Sequence, residues 1–144
     1  MKIREYVNSD FEVVLSILKK SFPEVLNEIN EALVDSNSLD LDRDRSVQLV
    51  YVLDDVVVGY LIASRSFDPI IKKNNYWIDY VCVDEEYRGR GIARELLKKI
   101  EDIASLDNAM FLQLTSSRFR TSARKLYLDL GYQIRESDIF RKVL

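Results

Sequence analysis

The sequence predicts an α/β (α+β) fold, in which helices pack on a mixed, mostly antiparallel sheet. Two observations support this prediction. Several segments are rich in β-branched and aromatic residues, which is typical of strands. Between them lie segments whose apolar residues recur at helical spacing. We expect about six to seven strands and four helices, in the order β-α-α-β-β-β-α-β-α-β-β. The chain has 144 residues with no repeat or Pro/Gly/Ser-rich linker, so residues 1–144 should form a single domain.

Each element follows from periodicity and from the residues at its ends. Helices are predicted to begin near residues 10, 23, 91 and 122, where apolar residues then follow a helical spacing. Pro23 suits a first helical turn, and Gly131 stands where a helix-ending glycine belongs. Asp54 and Asp55 separate two β-branched runs and predict a hairpin. The predicted strands are residues 3–6, 47–53, 56–65, 76–83, 110–114, 132–134 and 139–143, and residues 35–46 form a polar loop.

The composition excludes several function classes. The chain has no His, which removes His-based triads and the commonest zinc ligand, and no metal site is predicted. A single Cys cannot form an internal disulfide, which fits a reducing cytoplasm. The net charge of −3 argues against nucleic-acid binding. The longest apolar stretch, residues 56–63, is far shorter than the ~20 residues that span a bilayer, and no signal peptide is evident. We therefore expect a cytoplasmic protein without membrane or nucleic-acid partners.

Charge is distributed unevenly along the chain. Residues 1–72 contain 8 basic and 13 acidic side chains, whereas residues 73–144 contain 13 basic and 11 acidic ones. An anionic ligand would therefore bind the second half, although two ordinary solvated surfaces explain the counts equally well.

The most informative segment is a strand, a turn and a helix at residues 77–97. The turn and helix start consist of Arg88, Gly89, Arg90, Gly91, Ile92 and Ala93. Two glycines let backbone amides approach a ligand, and the first amides of a helix have no internal partner. These amides, with the positive end of the helix dipole and the arginines, suit a phosphate group. A phosphate-bearing ligand is predicted; the alternative is a glycine turn with solvated arginines.

Two motifs resemble those of the GNAT superfamily of N-acetyltransferases. Arg88-x-x-Gly91-x-Ala93, between a strand and a helix, is similar to the family's acyl-CoA-binding signature, Q/R-x-x-G-x-G/A. Residues 123–132, A-R-K-L-Y-L-D-L-G-Y, are similar to its second motif, A-x-x-[FL]-Y-x-x-x-G-[FY]. The predicted order of elements matches the family's fold over essentially the whole chain. Size and closing residues are similar to those of small bacterial members of the aminoalkylphosphonate N-acetyltransferase type.

The resemblance implies acetyl-CoA as cosubstrate. Its diphosphate would lie on the backbone amides of residues 88–93. Its pantetheine arm would pair like an extra strand with the preceding strand, through backbone groups of Val81 and Val83 on either side of Cys82. A backbone N–H near Val81 would polarise the thioester carbonyl.

The resemblance also implies a reaction: transfer of an acetyl group to a primary amine, of a small molecule, by direct attack in a ternary complex. Tyr127 matches the family's tyrosine that protonates the leaving thiolate. Asp79 falls where many members place an acidic residue facing the acceptor; it is a base, a substrate anchor or part of a sheet-edge salt bridge. Arg120 stands where many members have an Asn that contacts the cofactor. For Cys82, a buried hydrophobe is a better interpretation than an acyl carrier.

Several alternatives remain open at this point. The chain could acetylate proteins or peptides, or bind acyl-CoA without catalysis as a regulatory module. A homodimer would be in keeping with the family. Trp77, Tyr76 and Tyr80 could line the acceptor cleft or pack in the core. No motif in residues 1–46 or 67–75 identifies the acceptor amine.

Overall fold

The computed structural model describes residues 2–24 and 44–144. Contacts within the chain divide it into two compact units, Met1–Leu114 and Thr115–Leu144, and each is described by itself below. Pro23 and Glu24, at the predicted start of the second helix, are helical. The rest of that helix and most of the predicted loop at residues 35–46 lie outside the described residues. The single-domain organisation stays a prediction.

The first unit is built on a five-stranded sheet in the order β1-β2-β3-β4-β5. Neighbouring strands run antiparallel, except that β4 and β5 are parallel. This confirms the predicted mixed, mostly antiparallel sheet. The hairpin turn between β2 and β3 holds Asp54 and Asp55 at φ values of 49° and 62°, a left-handed conformation that Asp tolerates. The strands are Ile3–Glu5 (β1), Ser46–Leu53 (β2), Val56–Asp68 (β3), Lys73–Val83 (β4) and Leu112–Gln113 (β5).

Two helices, Phe11–Ser21 (α1) and Ile92–Leu106 (α2), cover opposite faces of this sheet. The buried side of α1 shares a core cluster with Tyr60 of β3 and Cys82 of β4. On the other face α2 comes so close to β3 that a Cβ at Gly59 would lie 2.9 Å from Cγ2 of Ile92. Neighbouring strand residues point to opposite faces, which places α1 over Tyr60 and α2 over Gly59. The missing side chain at Gly59 thus lets the first residue of α2 lie directly against the sheet.

The second unit contains one helix, Thr121–Asp129 (α3). Gly131 follows it at φ 92°, as the predicted helix-ending glycine requires. Its N–H donates to the carbonyl of Leu128, and the N–H of Tyr132 donates to the carbonyl of Tyr127, each at 3.0 Å. This is the pair of bonds of a Schellman motif, which satisfies carbonyls that the helix end leaves free. The rings of Tyr127 and Tyr132 meet edge to face, with centroids 6.0 Å apart.

The predicted number of strands is wrong in detail, because the described residues form five strands rather than six to seven. Three of the four predicted helices are formed, as α1, α2 and α3, and the body of the remaining one lies outside the described residues. The strands predicted at residues 132–134 and 139–143 are not formed in the structure. A run of apolar residues becomes a strand only where its backbone pairs and one face is buried. Ile139, Phe140 and Val143 are 67%, 93% and 87% exposed, so no face of that run is buried. No helix among the described residues is long and apolar enough to cross a membrane.

Candidate functional site

Strand β4 changes its register at Asp79. Ile62 of β3 pairs with Tyr80 and Ala63 pairs with Ile78, which leaves Asp79 as an extra residue without a partner on β3. In a regular strand Asp79 and Tyr80 would point to opposite faces. The bulge instead turns both toward the face that carries α1. Such bulges re-aim side chains and are frequent beside active sites.

The carboxylate of Asp79 is exposed and accepts a hydrogen bond of 2.5 Å from Oγ of Ser64. Partial burial raises its pKa, and the hydrogen bonds from Ser64 oppose that shift. In the part of the chain that is described, its partner is this hydroxyl rather than a Lys or Arg side chain. The geometry therefore favours an accessible proton acceptor or ligand anchor over the sheet-edge salt bridge that the sequence left open.

The other side of β4 loses its neighbour midway along the strand. The N–H of Tyr76 donates to the carbonyl of Phe111 at 3.0 Å, and pairing with β5 ends at the next rung, Trp77 with Gln113. No described strand pairs with residues 78–83 on that side. The second half of β4 therefore has an outer edge with backbone groups that a ligand can satisfy.

Val81 and Val83 are the residues whose backbone faces this outer edge. The N–H of Asp84 donates to the carbonyl of Val58 on β3 at 2.8 Å. Backbone direction alternates along an antiparallel strand, so Cys82 also faces β3, whereas Val81 and Val83 face outward. This is the arrangement that the resemblance implied for a pantetheine arm, with Cys82 contributing no outward backbone group.

The thiol of Cys82 is buried, with 6% of the residue exposed, and belongs to the core cluster under α1. Burial raises its pKa to about 12, although Arg88 and Ser21 oppose the shift. A thiol with that pKa stays protonated at neutral pH and is a poor nucleophile. The structure thus favours the buried hydrophobe over the acyl carrier.

The turn after β4 leaves its backbone open. A short 3-10 turn, Glu85–Tyr87, is capped by the side chain of Asp84, which accepts from the N–H of Glu86 at 3.0 Å. Gly89 and Gly91 follow at φ values of 76° and 79°, a region that glycine enters without strain. Apart from each glycine and its two chain neighbours, no atom of the described residues lies within 4 Å of a Cβ built at either position. A group larger than a methyl therefore has room to approach the turn.

Gly91 is also the N-cap of α2, so the cap brings no side chain of its own. The first amides of α2, beginning at Ile92 and Ala93, have no acceptor within the helix, and the helix dipole is positive there. Arg88, at the start of the turn, is exposed, and its Nε donates to the carbonyl of Val83 at 3.1 Å. The guanidinium of Arg90 stacks 4.9 Å from the ring centre of Tyr87. The turn thus combines open amides and two arginines, as an anion site requires.

In the second unit, Tyr127 lies on α3 and is half-buried. Desolvation raises the pKa of its phenol, while the positive charge of Arg120 at the N-cap of α3 lowers it. The net rise keeps the phenol protonated at neutral pH, the state that a proton donor needs.

Sequence reasoning did not single out Ser64 or Gly59. The sequence offered little sign of either residue: one serine inside an apolar strand and one glycine inside a β-branched run.

Of the three aromatic candidates for the acceptor cleft, Tyr76 is fully buried, Tyr80 packs against Phe22 with ring centres 5.1 Å apart, and Trp77 is 37% exposed. Among residues 2–24 and 44–144, no group of three His, Cys, Asp or Glu side chains could hold a metal ion.

The first unit is thus a mixed α/β sheet in which β4 has an outer edge without a strand partner and leads into an open glycine turn at the start of α2. The model of the acetyltransferase (GNAT) family matches residues 11–132, a span that runs through both units. The chain belongs to this family.

Curated relatives match part of the chain. N-acetylaspartate synthetase of Rattus norvegicus is 33% identical over 84 residues, which are 58% of this chain and 27% of that protein. Thialysine N-epsilon-acetyltransferase of Bos taurus is 32% identical over 77 residues, 54% of this chain and 45% of that protein. The matched region thus spans less than half the length of these relatives.

Solved structures share the fold over nearly the whole chain. A possible acetyltransferase from Clostridium difficile 630 has a TM-score of 0.82 at 22% identity, with 99% of this chain and 97% of that chain covered. The aminoglycoside N-acetyltransferase AAC(6')-Iy, in complex with CoA, has a TM-score of 0.81 at 19% identity, with 98% of this chain and 93% of that chain covered. At these identities the likeness concerns the fold alone.

Proposed function

We propose that this chain is an acetyl-CoA-dependent N-acetyltransferase that acts on the primary amine of a small molecule. The observation that carries the proposal is the outward-facing backbone of Val81 and Val83, which leads directly into the open turn before α2. An extended ligand with amides at one end and phosphates at the other can bind the strand edge with its amides and the turn with its phosphates. The names of several relatives, acting on aspartate, thialysine or an aminoglycoside, support a small amine as acceptor.

The residues present suit acetyl-CoA for separate reasons at its two ends. Gly89 and Gly91 have room for a bulky anion and hold the backbone in the left-handed conformation that exposes its amides. Arg88 adds a full positive charge beside them. The N–H and carbonyl of Val81 match the hydrogen-bonding groups of an amide-containing arm. When bound, acetyl-CoA supplies a thioester whose carbonyl carbon is the electrophile.

Three groups of the chain would then transfer the protons of the amine and the thiol and stabilise the negative charge that develops on the thioester oxygen. Asp79 takes a proton from the ammonium, directly or through water, so that the nitrogen can attack. An outward N–H near Val81 donates to the oxygen that becomes negative. The C–N bond forms, the C–S bond breaks, and Tyr127 gives its proton to the departing thiolate. The nitrogen then loses its second proton, which returns Tyr127 to the phenol through solvent, and Asp79 releases the first proton to solvent. Overall, amine and thioester become amide and thiol.

A thiol-release assay with acetyl-CoA and a panel of amines tests this proposal. The panel contains diamines, aminoglycosides, amino acids, aminoalkylphosphonates and peptides. We expect CoA thiol to appear with at least one small amine. Tyr127→Phe should lower kcat by about 100-fold, in the range of a lost general acid, while acetyl-CoA affinity measured by calorimetry stays within about twofold.

Tyr132→Phe is the matched control, because it removes a hydroxyl from the neighbouring ring and should leave kcat nearly unchanged. Unaltered turnover in Tyr127→Phe would remove Tyr127 from the mechanism. Tight acetyl-CoA binding without thiol release for any amine or peptide would contradict an enzyme and identify a binding module. Release with peptides alone would contradict the small-molecule acceptor.

A further inference from the structure

The face of the sheet that carries α1 continues as a polar surface on β3 and β4. Alternate residues of the two strands form it, and two of its rungs are paired directly, Ser64 with Trp77 and Ser66 with Asn75. Asp79 extends it by one position, because it follows Trp77 by two residues and its carboxylate meets the hydroxyl of Ser64 on the same face. We call this surface the polar stripe; its members are Ser64, Ser66, Asn75, Trp77 and Asp79.

Within the polar stripe, Asp79 is the only charged side chain. Arg65 follows Ser64 on β3 and therefore points to the opposite face. There its Nε donates to the hydroxyl of Tyr76 at 2.8 Å and lies 3.3 Å from Oδ2 of Asp107. The next rung on the face of the stripe pairs Asp68 with Lys73, four positions from Trp77, so these two charges stand opposite each other at its far end. Beside Trp77, the stripe therefore presents the negative charge of Asp79 to a ligand.

Trp77 gives the stripe an aromatic surface. It is 37% exposed, although its neighbours on β4, Tyr76 and Ile78, are almost fully buried. An indole is the aromatic group that attracts cations best. Trp77 and Asp79 are two positions apart on one strand, about 6.6 Å at ~3.3 Å per residue. A carboxylate and an indole at that separation can each accept one positively charged group.

The two groups also lie in a definite order relative to the outer edge. Asp79 is the closer of the two to Val81, where the proposed function places the thioester, and Trp77 is one strand repeat further away. A ligand that lies along the stripe would bring one end to Asp79 and the other to Trp77. Its reacting nitrogen belongs at Asp79.

We infer that the acceptor is a compound with two amino groups about 6–7 Å apart, one held by Asp79 and acetylated, the other bound as a cation on the indole of Trp77. This inference rests on the proposed function and names its substrate class. An acceptor with a carboxylate or phosphonate in place of the second amine meets an indole face and no counter-charge in the stripe.

Three acceptors of equal chain length isolate the contribution of the second group. They are α,ω-diaminobutane, butylamine and ω-aminobutanoate, whose far ends are cationic, apolar and anionic. Thiol release with acetyl-CoA gives kcat/KM for each. We expect diaminobutane to exceed butylamine roughly tenfold, as a desolvated cation–aromatic contact allows, and aminobutanoate to be the poorest.

Two variants assign the preference to Trp77. Trp77→Ala should bring the ratio of kcat/KM for diaminobutane over butylamine close to one, whereas Trp77→Phe, which keeps an aromatic face, should retain part of it. Calorimetric affinity for acetyl-CoA reports whether each variant is folded. If Trp77→Ala does not fold, the partial loss expected in Trp77→Phe still tests the role of Trp77.

The outcomes separate the two proposals. Equal kcat/KM for diaminobutane and butylamine, or a preference for aminobutanoate, would overturn the diamine inference and leave the N-acetyltransferase standing. A diamine preference that survives in Trp77→Ala would overturn the role of Trp77. The enzyme itself is contradicted only if none of the amines and peptides releases thiol.

Discussion

The two sides of β4 present different kinds of site. The outer edge and the turn after it are made of backbone groups: the outward amides of Val81 and Val83 and the open turn at Gly91. The polar stripe on the sheet face is made of side chains, above all Trp77 and Asp79. A backbone site demands particular residue types, such as glycine at positive φ, and so leaves a motif in the sequence. A side-chain site spread over two strands demands no fixed spacing.

The largest expected effect comes from a charge placed in the turn. Gly91→Glu puts a carboxylate where the proposed diphosphate lies and forces a side chain into φ 79°. Like charges repel, and the left-handed backbone costs about 1–2 kcal/mol for a non-glycine residue. We expect acetyl-CoA affinity, measured by calorimetry, to fall by more than about 100-fold, equivalent to more than ~2.7 kcal/mol.

Gly91→Ala is the matched control, because it brings the same backbone conformation without the charge. It should weaken acetyl-CoA far less than Gly91→Glu. If both variants bind acetyl-CoA as well as the parent chain, the turn is not a phosphate site. The outer edge of β4 and the turn after it would then not form a backbone site for the cofactor.

An intermediate effect is expected where α2 touches the sheet. Gly59→Ala would place a Cβ 2.9 Å from Cγ2 of Ile92 and 3.3 Å from Cβ of Tyr51. Crowding of this kind costs about 1–3 kcal/mol, and the shift it forces moves the first turn of α2. We expect a lower thermal midpoint and several-fold weaker acetyl-CoA binding, while the ratio of kcat/KM between amines is unchanged.

Val50→Ala controls for stability alone. Val50 on β2 pairs with Tyr60, the residue after Gly59, and is fully buried in the core cluster under α1, on the opposite face of the sheet. Its truncation should lower the thermal midpoint without weakening acetyl-CoA. Equal losses of affinity in both variants would mean that stability, rather than the position of α2, governs cofactor binding.

The same distinction explains what could be predicted from the sequence. The hairpin at Asp54-Asp55, the antiparallel sheet and the glycine turn were predictable because each depends on local periodicity or on residues with special backbone freedom. The register change at Asp79 was not, since it is a relation between two strands that neither strand encodes alone. The exposure of Trp77 was unpredictable for a related reason: apolar alternation does not say which face of a strand another element covers.

The predicted C-terminal strands failed for a complementary reason. Ile139, Phe140 and Val143 have the residue types of a strand, and propensity alone favoured one. Strand formation also requires a partner edge and a buried face, which is tertiary information. In contrast, Gly131 was placed correctly, because a helix end is satisfied by its own last turn.

The smallest effect on acetyl-CoA affinity and amine selectivity is expected for a residue that belongs to neither side of β4. Asp10 is 6% exposed and receives two hydrogen bonds from Arg4, at 2.8 and 2.9 Å, and one from the N–H of Val7 at 2.9 Å. The guanidinium of Arg4 holds the pKa of this carboxyl below its ordinary value of 3.8. Asp10→Asn should reduce the free energy of unfolding by roughly 1.5–3 kcal/mol at neutral pH, the usual range for hydrogen bonds to charged groups.

The pH dependence of that loss identifies its cause. A carboxyl with a lowered pKa in the folded state stabilises the protein above its unfolded pKa, and this stabilisation disappears as the pH falls through the folded value. The gap between Asp10→Asn and the parent chain, measured by urea unfolding, should therefore narrow steadily below about pH 4. A constant gap would mean that packing rather than the ion pair is lost. Because Asp10 belongs to neither side of β4, acetyl-CoA affinity and amine selectivity at neutral pH should both stay at the parent values. A change in either would show that the two sites depend on the β1–α1 region as well.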